Sequence, residues 1–137
     1  MSKVRGVNLG SLFIIEPWML GSTWQSMGCG GKASEFDCML ALGQEKGDQA
    51  FQNHWAAFVQ ESDFDEMLSY GINTVRIPIG YWMYEDLVYK DSEHFPRVCW
   101  FRPMVTRLYA DMIQGGFEYL KKVVGWATSR HIYVVLV

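Results

Sequence analysis

The alternation of apolar and polar positions divides the chain into short extended runs and longer helical ones. Val4 to Leu9 ("VRGVNL") and Leu12 to Ile15 read as short strands separated by Gly10. Residues 21–43 are rich in Gly, Ser and polar side chains without a period, which predicts a long surface loop. From Gln44 to Gln60 the period turns helical, with Phe51, His54/Trp55 and Phe58 recurring on one face. "SDFD" then offers a capping box, Ser62 as N-cap and Asp65 three residues on, for a helix from Phe64 to Tyr70 that stops at Gly71. "INTVRIPI" (72–79) predicts a strand with Pro78 at its end. Residues 115–130 predict an amphipathic helix with Phe117, Leu120, Val123/Val124 and Ala127 on its apolar face. "HIYVVLV" (131–137) predicts an apolar strand.

Strand, helix, strand, helix, strand with nearly continuous apolar strands is the pattern of a parallel sheet covered by helices. The last strand raises a difficulty. A parallel strand this apolar needs neighbours on both sides, and no sequence after Val137 supplies one.

Composition adds little that changes this picture. The 137 residues are the size of one ordinary domain. Aromatic residues reach 15%, which suits a core and also a surface that stacks sugar rings. The net charge of −3 gives no electrostatic case for a nucleic-acid partner or an anionic lipid surface. No apolar run approaches the roughly 18 residues of a membrane span. No secretory signal is visible ahead of the first strand, so the chain taken literally is cytoplasmic. Cys29 and Cys38, nine residues apart, are the candidate disulfide in an oxidising compartment and two free thiols otherwise. No Cys or His pair has metal-ligand spacing, and no metal or cofactor is expected.

Two positions break the strand pattern with charge: Glu16, in "IIEPW", and Arg76, in "NTVRIPIGYW". With them, the order of "RGVNLG", an acid-Pro-aromatic step, "HWAAFVQESDFDEM", "GINTVRIPIGYW" and "GGFEYLKKVVGWA" resembles glycoside hydrolase family 5, in its fungal exo-β-1,3-glucanase branch. The resemblance covers most of residues 4–137 except about 98–114. It implies an α/β fold, the first three strands and their helices of a (β/α)8 TIM barrel, with the site at the C-terminal strand ends. It implies that Glu16 hydrogen-bonds hydroxyls of a terminal glucose and that Arg76 keeps the nucleophilic carboxylate ionised and oriented. Trp18, often Tyr in this branch, and Tyr81 and Trp82 are expected to wall the sugar pocket. His54 and Trp55 are expected to serve helix packing, and Glu61, Asp63, Asp65 and Glu66 a helix start.

The same resemblance shows what to look for and not find. Retaining hydrolysis uses two carboxyl groups about 5–5.5 Å apart, which the family places at the fourth and seventh strands. No acid of this chain matches them, so a partial barrel without turnover of its own is expected. Residues 98–114 ("VCWFRPMVTRLYADMIQ") interrupt the resemblance and read as retained intron, since Val98-Cys99 suits an intron start and Gln114 an intron end; an ordinary surface insertion is the alternative. Val137 suits a second intron start. The expected partner is a β-glucan polysaccharide or oligosaccharide, and the parent family is secreted or wall-associated. Competing expectations are a glucan-binding product without catalysis, a cytosolic family 5 β-glucosidase, and a self-standing cytosolic α/β domain.

Overall fold

The computed structural model describes residues 3–83 and 116–137. Residues 98–114, with Cys99, lie outside the described residues. Three parallel strands, β1 (Gly6–Asn8), β2 (Thr74–Ile77) and β3 (Tyr133–Leu136), form one sheet in the order β1-β2-β3. The pairing is in step, with Gly6, Thr74 and Tyr133 in one row, Val7, Val75 and Val134 in the next, and Asn8, Arg76 and Val135 in the one after. Asn73 closes the lower end of the first pair. Its backbone N–H donates to Arg5 O at 2.9 Å, its Oδ1 accepts from Arg5 N at 2.9 Å, and its Nδ2 donates to Lys3 O at 2.9 Å.

Alternation within the strands separates two faces. Val75 and Ile77 are fully buried, and Val7 and Val134 pack beside them against the helices. The other face carries Asn8, Thr74, Arg76, Tyr133 and Val135, of which Tyr133 is 71% exposed and Val135 47% exposed. A sheet with one face under helices and its other face lined by a mixed polar and apolar row is an arc of a (β/α)8 barrel.

The helical layer is α1 (Pro17–Leu20), α2 (Ser22–Trp24), α3 (Glu35–Leu42), α4 (Gln44–Phe58), α5 (Glu61–Ser69) and α6 (Gly116–Ser129). A wide turn over Gln25–Cys29 links α2 to α3. The aromatic rings of Trp24, Phe51, Trp55, Phe13 and Tyr119 follow one another at centroid distances of 6.0–6.5 Å and join α2, α4 and α6 under the sheet. Arg130, at the end of α6, binds Asp65 at 2.6 and 3.0 Å and Glu61 at 3.1 Å, fixing α6 against α5.

Three sequence expectations change. Leu12–Ile15 is not a strand. Ser11 takes a left-handed conformation (φ 57°) that turns the chain out of β1, and Leu12, Phe13 and Ile15 are buried as irregular backbone. Residues 21–43 are not a surface loop: α2, the wide turn and α3 fold around the Cys29–Cys38 disulfide, whose Cα atoms are 5.0 Å apart, with Trp24 and Met39 buried beside it. The capping box of α5 falls two residues earlier than expected. Gln60 is the N-cap, its N–H donates to Asp63 at 2.8 Å, and Asp65 is taken by Arg130 instead. Gly71, at φ 73°, ends that helix as expected.

The two faces differ in energy as well as exposure. Ile77→Ala is expected to lower unfolding stability by about 2–5 kcal/mol, whereas Tyr133→Ser on the open face should cost about 0.5 kcal/mol or less. Urea unfolding of both variants checks the assignment of faces.

Candidate active site at the strand tips

The charged row begins with Asn8 and Arg76. They are register partners on adjacent strands, so their side chains leave the same face. Arg76 Nη1 donates to Asn8 Oδ1 at 2.7 Å, which holds the guanidinium along the sheet surface. Both side chains are exposed. Beyond the strand, Leu9 N donates to Arg76 O at 2.9 Å, and the chain then enters the turn at Gly10 and Ser11.

Glu16 lies at the end of the buried segment 11–16 and stands before the N1 proline of α1. Its N–H donates to Ser11 Oγ at 2.9 Å, which closes the segment into a compact loop. Its carboxylate makes no capping bond to α1, so it is not used up at the helix start. Gly10 shows where α1 sits: a Cβ at that position would lie 3.1 Å from Asn8 Nδ2 and 3.4 Å from Met19. The α1 turn that follows Glu16 is therefore beside the Asn8–Arg76 pair. No ion pair joins Glu16 to Arg76 among the described residues. Trp18, on α1, is 79% exposed.

Tyr81 and Trp82 lie in a 3-10 turn (Tyr81–Met83) just after β2. Their rings meet edge to face, 5.2 Å apart, and Tyr81 is 49% exposed. Gly80 is needed here, because a Cβ would collide with the Trp82 indole. All five expected site residues thus come from segments at or beyond the C-terminal ends of β1 and β2. A separate groove of about 560 Å³ lies between α2 and α4, lined by Thr23, Ser26, Lys46, Gln49, Asn53 and Phe58 among others; none of the five expected residues lines it. No cluster of His, Cys, Asp or Glu able to hold a metal occurs among the described residues.

Sequence reasoning missed the groups behind the site. The carbonyl of Ser11 lies 2.7 Å from His54 Nε2, and the Ile15 N–H donates to the Glu35 carboxyl. Burial lowers the His54 pKa below 6.5, and burial pushes the Glu35 carboxyl up to about 8 against the smaller opposing effect of the Ile15 bond. Both groups are therefore neutral in the folded chain near neutral pH. Only His54 had a sequence signal, as part of the apolar face of α4.

Known proteins resemble the chain in sequence and in fold. No protein-family model matches the chain. It is 50% identical over 134 residues to "Glucan endo-1,6-beta-glucosidase B" of Emericella nidulans, covering 98% of this chain and 29% of that protein. It is 36% identical over 135 residues to "Glucan 1,3-beta-glucosidase" of Blumeria graminis, covering 98% of this chain and 27% of that one. The crystal structure of rutinosidase from Aspergillus niger superposes with a TM-score of 0.74 at 21% identity, over 98% of this chain and 32% of the other, which supports the barrel fold. Over nearly its whole length the chain is therefore similar to part of proteins named as fungal glucan β-glucosidases, and it shares the fold of a rutinosidase. It spans under a third of the length of these curated glucan β-glucosidases.

Within this fold the two neutral groups set a pH dependence. Glu35, raised from 4.5 to about 8, favours its protonated form in the folded state. Its contribution is complete below about pH 4.5 and is lost as pH rises through 8, at up to about 1.4 kcal/mol per pH unit. His54 is lowered from 6.5, so its contribution is lost as pH falls below 6.5. Thermal unfolding between pH 6 and 8.5 should show falling stability in the wild type and a flatter profile in Glu35→Gln.

Proposed function

We propose that the strand-tip residues Asn8, Glu16, Trp18, Arg76, Tyr81 and Trp82 bind a glucosyl unit of a β-glucan as part of a retaining glycoside hydrolase site. The observation that carries this reading is the Arg76–Asn8 bond at matched register, with the Glu16 segment folded beside it. A bound pyranose offers hydroxyls to a carboxylate and an apolar ring face to an aromatic side chain. Glu16 supplies the acceptor, and Trp18, Tyr81 and Trp82 supply ring surfaces.

Arg76 has a second role in this reading. Its guanidinium, oriented by Asn8, stays charged and donates paired hydrogen bonds. A carboxylate nucleophile set beside it is held ionised by the adjacent positive charge. The nucleophile and acid/base pair of a retaining mechanism, about 5–5.5 Å apart, have no assigned residue among 1–137. The chain by itself is accordingly proposed to hold glucan without turning it over.

Two linkages compete. The 50% identity to a protein named for endo-1,6 activity favours β-1,6-glucan. The exo-β-1,3 specificity suggested by the sequence motifs is the second reading, supported by the 36% and 34% relatives named for 1,3 activity. The Cys29–Cys38 disulfide supports passage through an oxidising compartment, hence a secreted or wall-associated protein. Among the described residues, no helix is long and apolar enough to cross a membrane.

Isothermal titration of the chain with β-1,6- and β-1,3-linked glucan oligosaccharides tests the proposal. The expected result is tighter binding of the β-1,6 oligosaccharide, weakened about tenfold or more by Glu16→Ala and by Trp18→Ala. Variants at Glu16 and Trp18 that both bind as tightly as the wild type would exclude these strand tips as the glucan site.

A further inference from the structure

Segment 11–16 delivers Glu16 to the strand tips without a strand or helix of its own, so its aim depends on side chains behind it. Ser11 closes it from within, and His54 meets the Ser11 carbonyl at one end. At the other end, next to Glu16 itself, the Ile15 N–H is held by Glu35 from the first turn of α3. Glu35 is 6% exposed, and its second oxygen, Oε2, has no hydrogen-bond partner among the described residues. A buried carboxyl with one oxygen unpaired destabilises the fold. An apolar side chain of similar size would fill this space at lower cost, but it would leave the Ile15 N–H unsatisfied.

We propose that Glu35 is a positioning residue: its carboxyl fixes the Ile15–Glu16 peptide and thereby aims the Glu16 side chain at glucan. The proposal rests on the strand-tip reading above for what Glu16 does, but not for how Glu35 holds it. The disulfide supports the hold, since Cys38 lies one turn along α3 from Glu35 and ties that helix to Cys29 in the preceding turn. Glu35 therefore approaches the segment from an anchored support.

Charge on Glu35 would undo the arrangement. The titratable and charged side chains on the segment it holds, on its own helix and link, and on α4 packed against that helix are Glu16, Asp37, Lys32, and Glu45, Lys46, Asp48 and His54. None of these makes a hydrogen bond to the Glu35 carboxyl; the Ile15 N–H alone does so. Ionisation at alkaline pH leaves a buried charge with that single donor, and the segment is expected to loosen.

The test compares the 137-residue wild type with Glu35→Gln and Glu35→Ala. Two readouts are taken: amide exchange at Ile15 and affinity for a β-1,6-linked glucan oligosaccharide, each at about pH 6 and about pH 9. Glu35→Ala should speed Ile15 exchange and weaken glucan binding, each by about tenfold. Glu35→Gln, which keeps an acceptor without a charge, should stay near wild type at the lower pH and lose the wild type's weakening at the higher pH. Wild-type-like Ile15 exchange in Glu35→Ala overturns the proposal, as does equal loss of affinity in both variants. If Glu35→Ala fails to fold, the Glu35→Gln pH profile decides: flat supports the proposal, and parallel to wild type overturns it. If wild type binds no glucan, the strand-tip reading fails, and Ile15 exchange still decides whether Glu35 holds the segment.

Discussion

Buried irregular backbone must find partners for its polar atoms, and segment 11–16 is where this chain meets that demand. Leu12, Phe13 and Ile15 are drawn inward by their apolar side chains. No neighbouring strand accompanies them, so the hydrogen bonds come from single side chains instead. His54 meets the Ser11 carbonyl, Ser11 meets the Glu16 amide, and Glu35 meets the Ile15 amide. The left-handed backbone at Ser11 is a conformation that costs a non-glycine residue on the order of 1 kcal/mol or more. It persists because burial and these bonds leave the segment no other path.

This arrangement explains why the helices before α5 exist. The α3 helix, tied by its disulfide, carries Glu35, and α4 carries His54 together with Trp55, whose ring packs on Phe13, and Phe51, which packs on Trp55. Removing this layer would free the residues that follow β1. In a barrel whose chemistry lies at the strand ends, that support separates a scaffold from a site.

The sheet and the longer helices were legible in the sequence because their side chains repeat with a period. β2, β3, α4 and α6 all follow from it, with ends shifted by a residue or two. The apolar run 12–15 misled because four residues are too few to distinguish a strand from any other buried stretch. Residues 21–43 misled for a related reason. Helices of three to eight residues carry no amphipathic period, and Gly28 and Gly31 at positive φ look like loop signals while serving turns between helices. Glu61–Asp65 holds two overlapping capping patterns, and only the distant Arg130 decides between them by claiming Asp65. Glu16 and Arg76 stood out because charge interrupts apolar runs. Glu35 did not, because an acid in a polar stretch gives no sign that twenty residues of chain will return to bury it.

The in-step pairing of β1, β2 and β3 has a further consequence. Side chains on a strand alternate between faces, so sliding β2 by a single residue along β1 would send Arg76 under the helices and bring Val75 and Ile77 out to the open face. A guanidinium cannot be accommodated among buried apolar side chains such as Phe64, Val123 and Ala127, so the slipped sheet is excluded by Arg76 itself. The arginine at the strand tip therefore also acts as a ruler, enforcing the alignment that every neighbouring strand must follow.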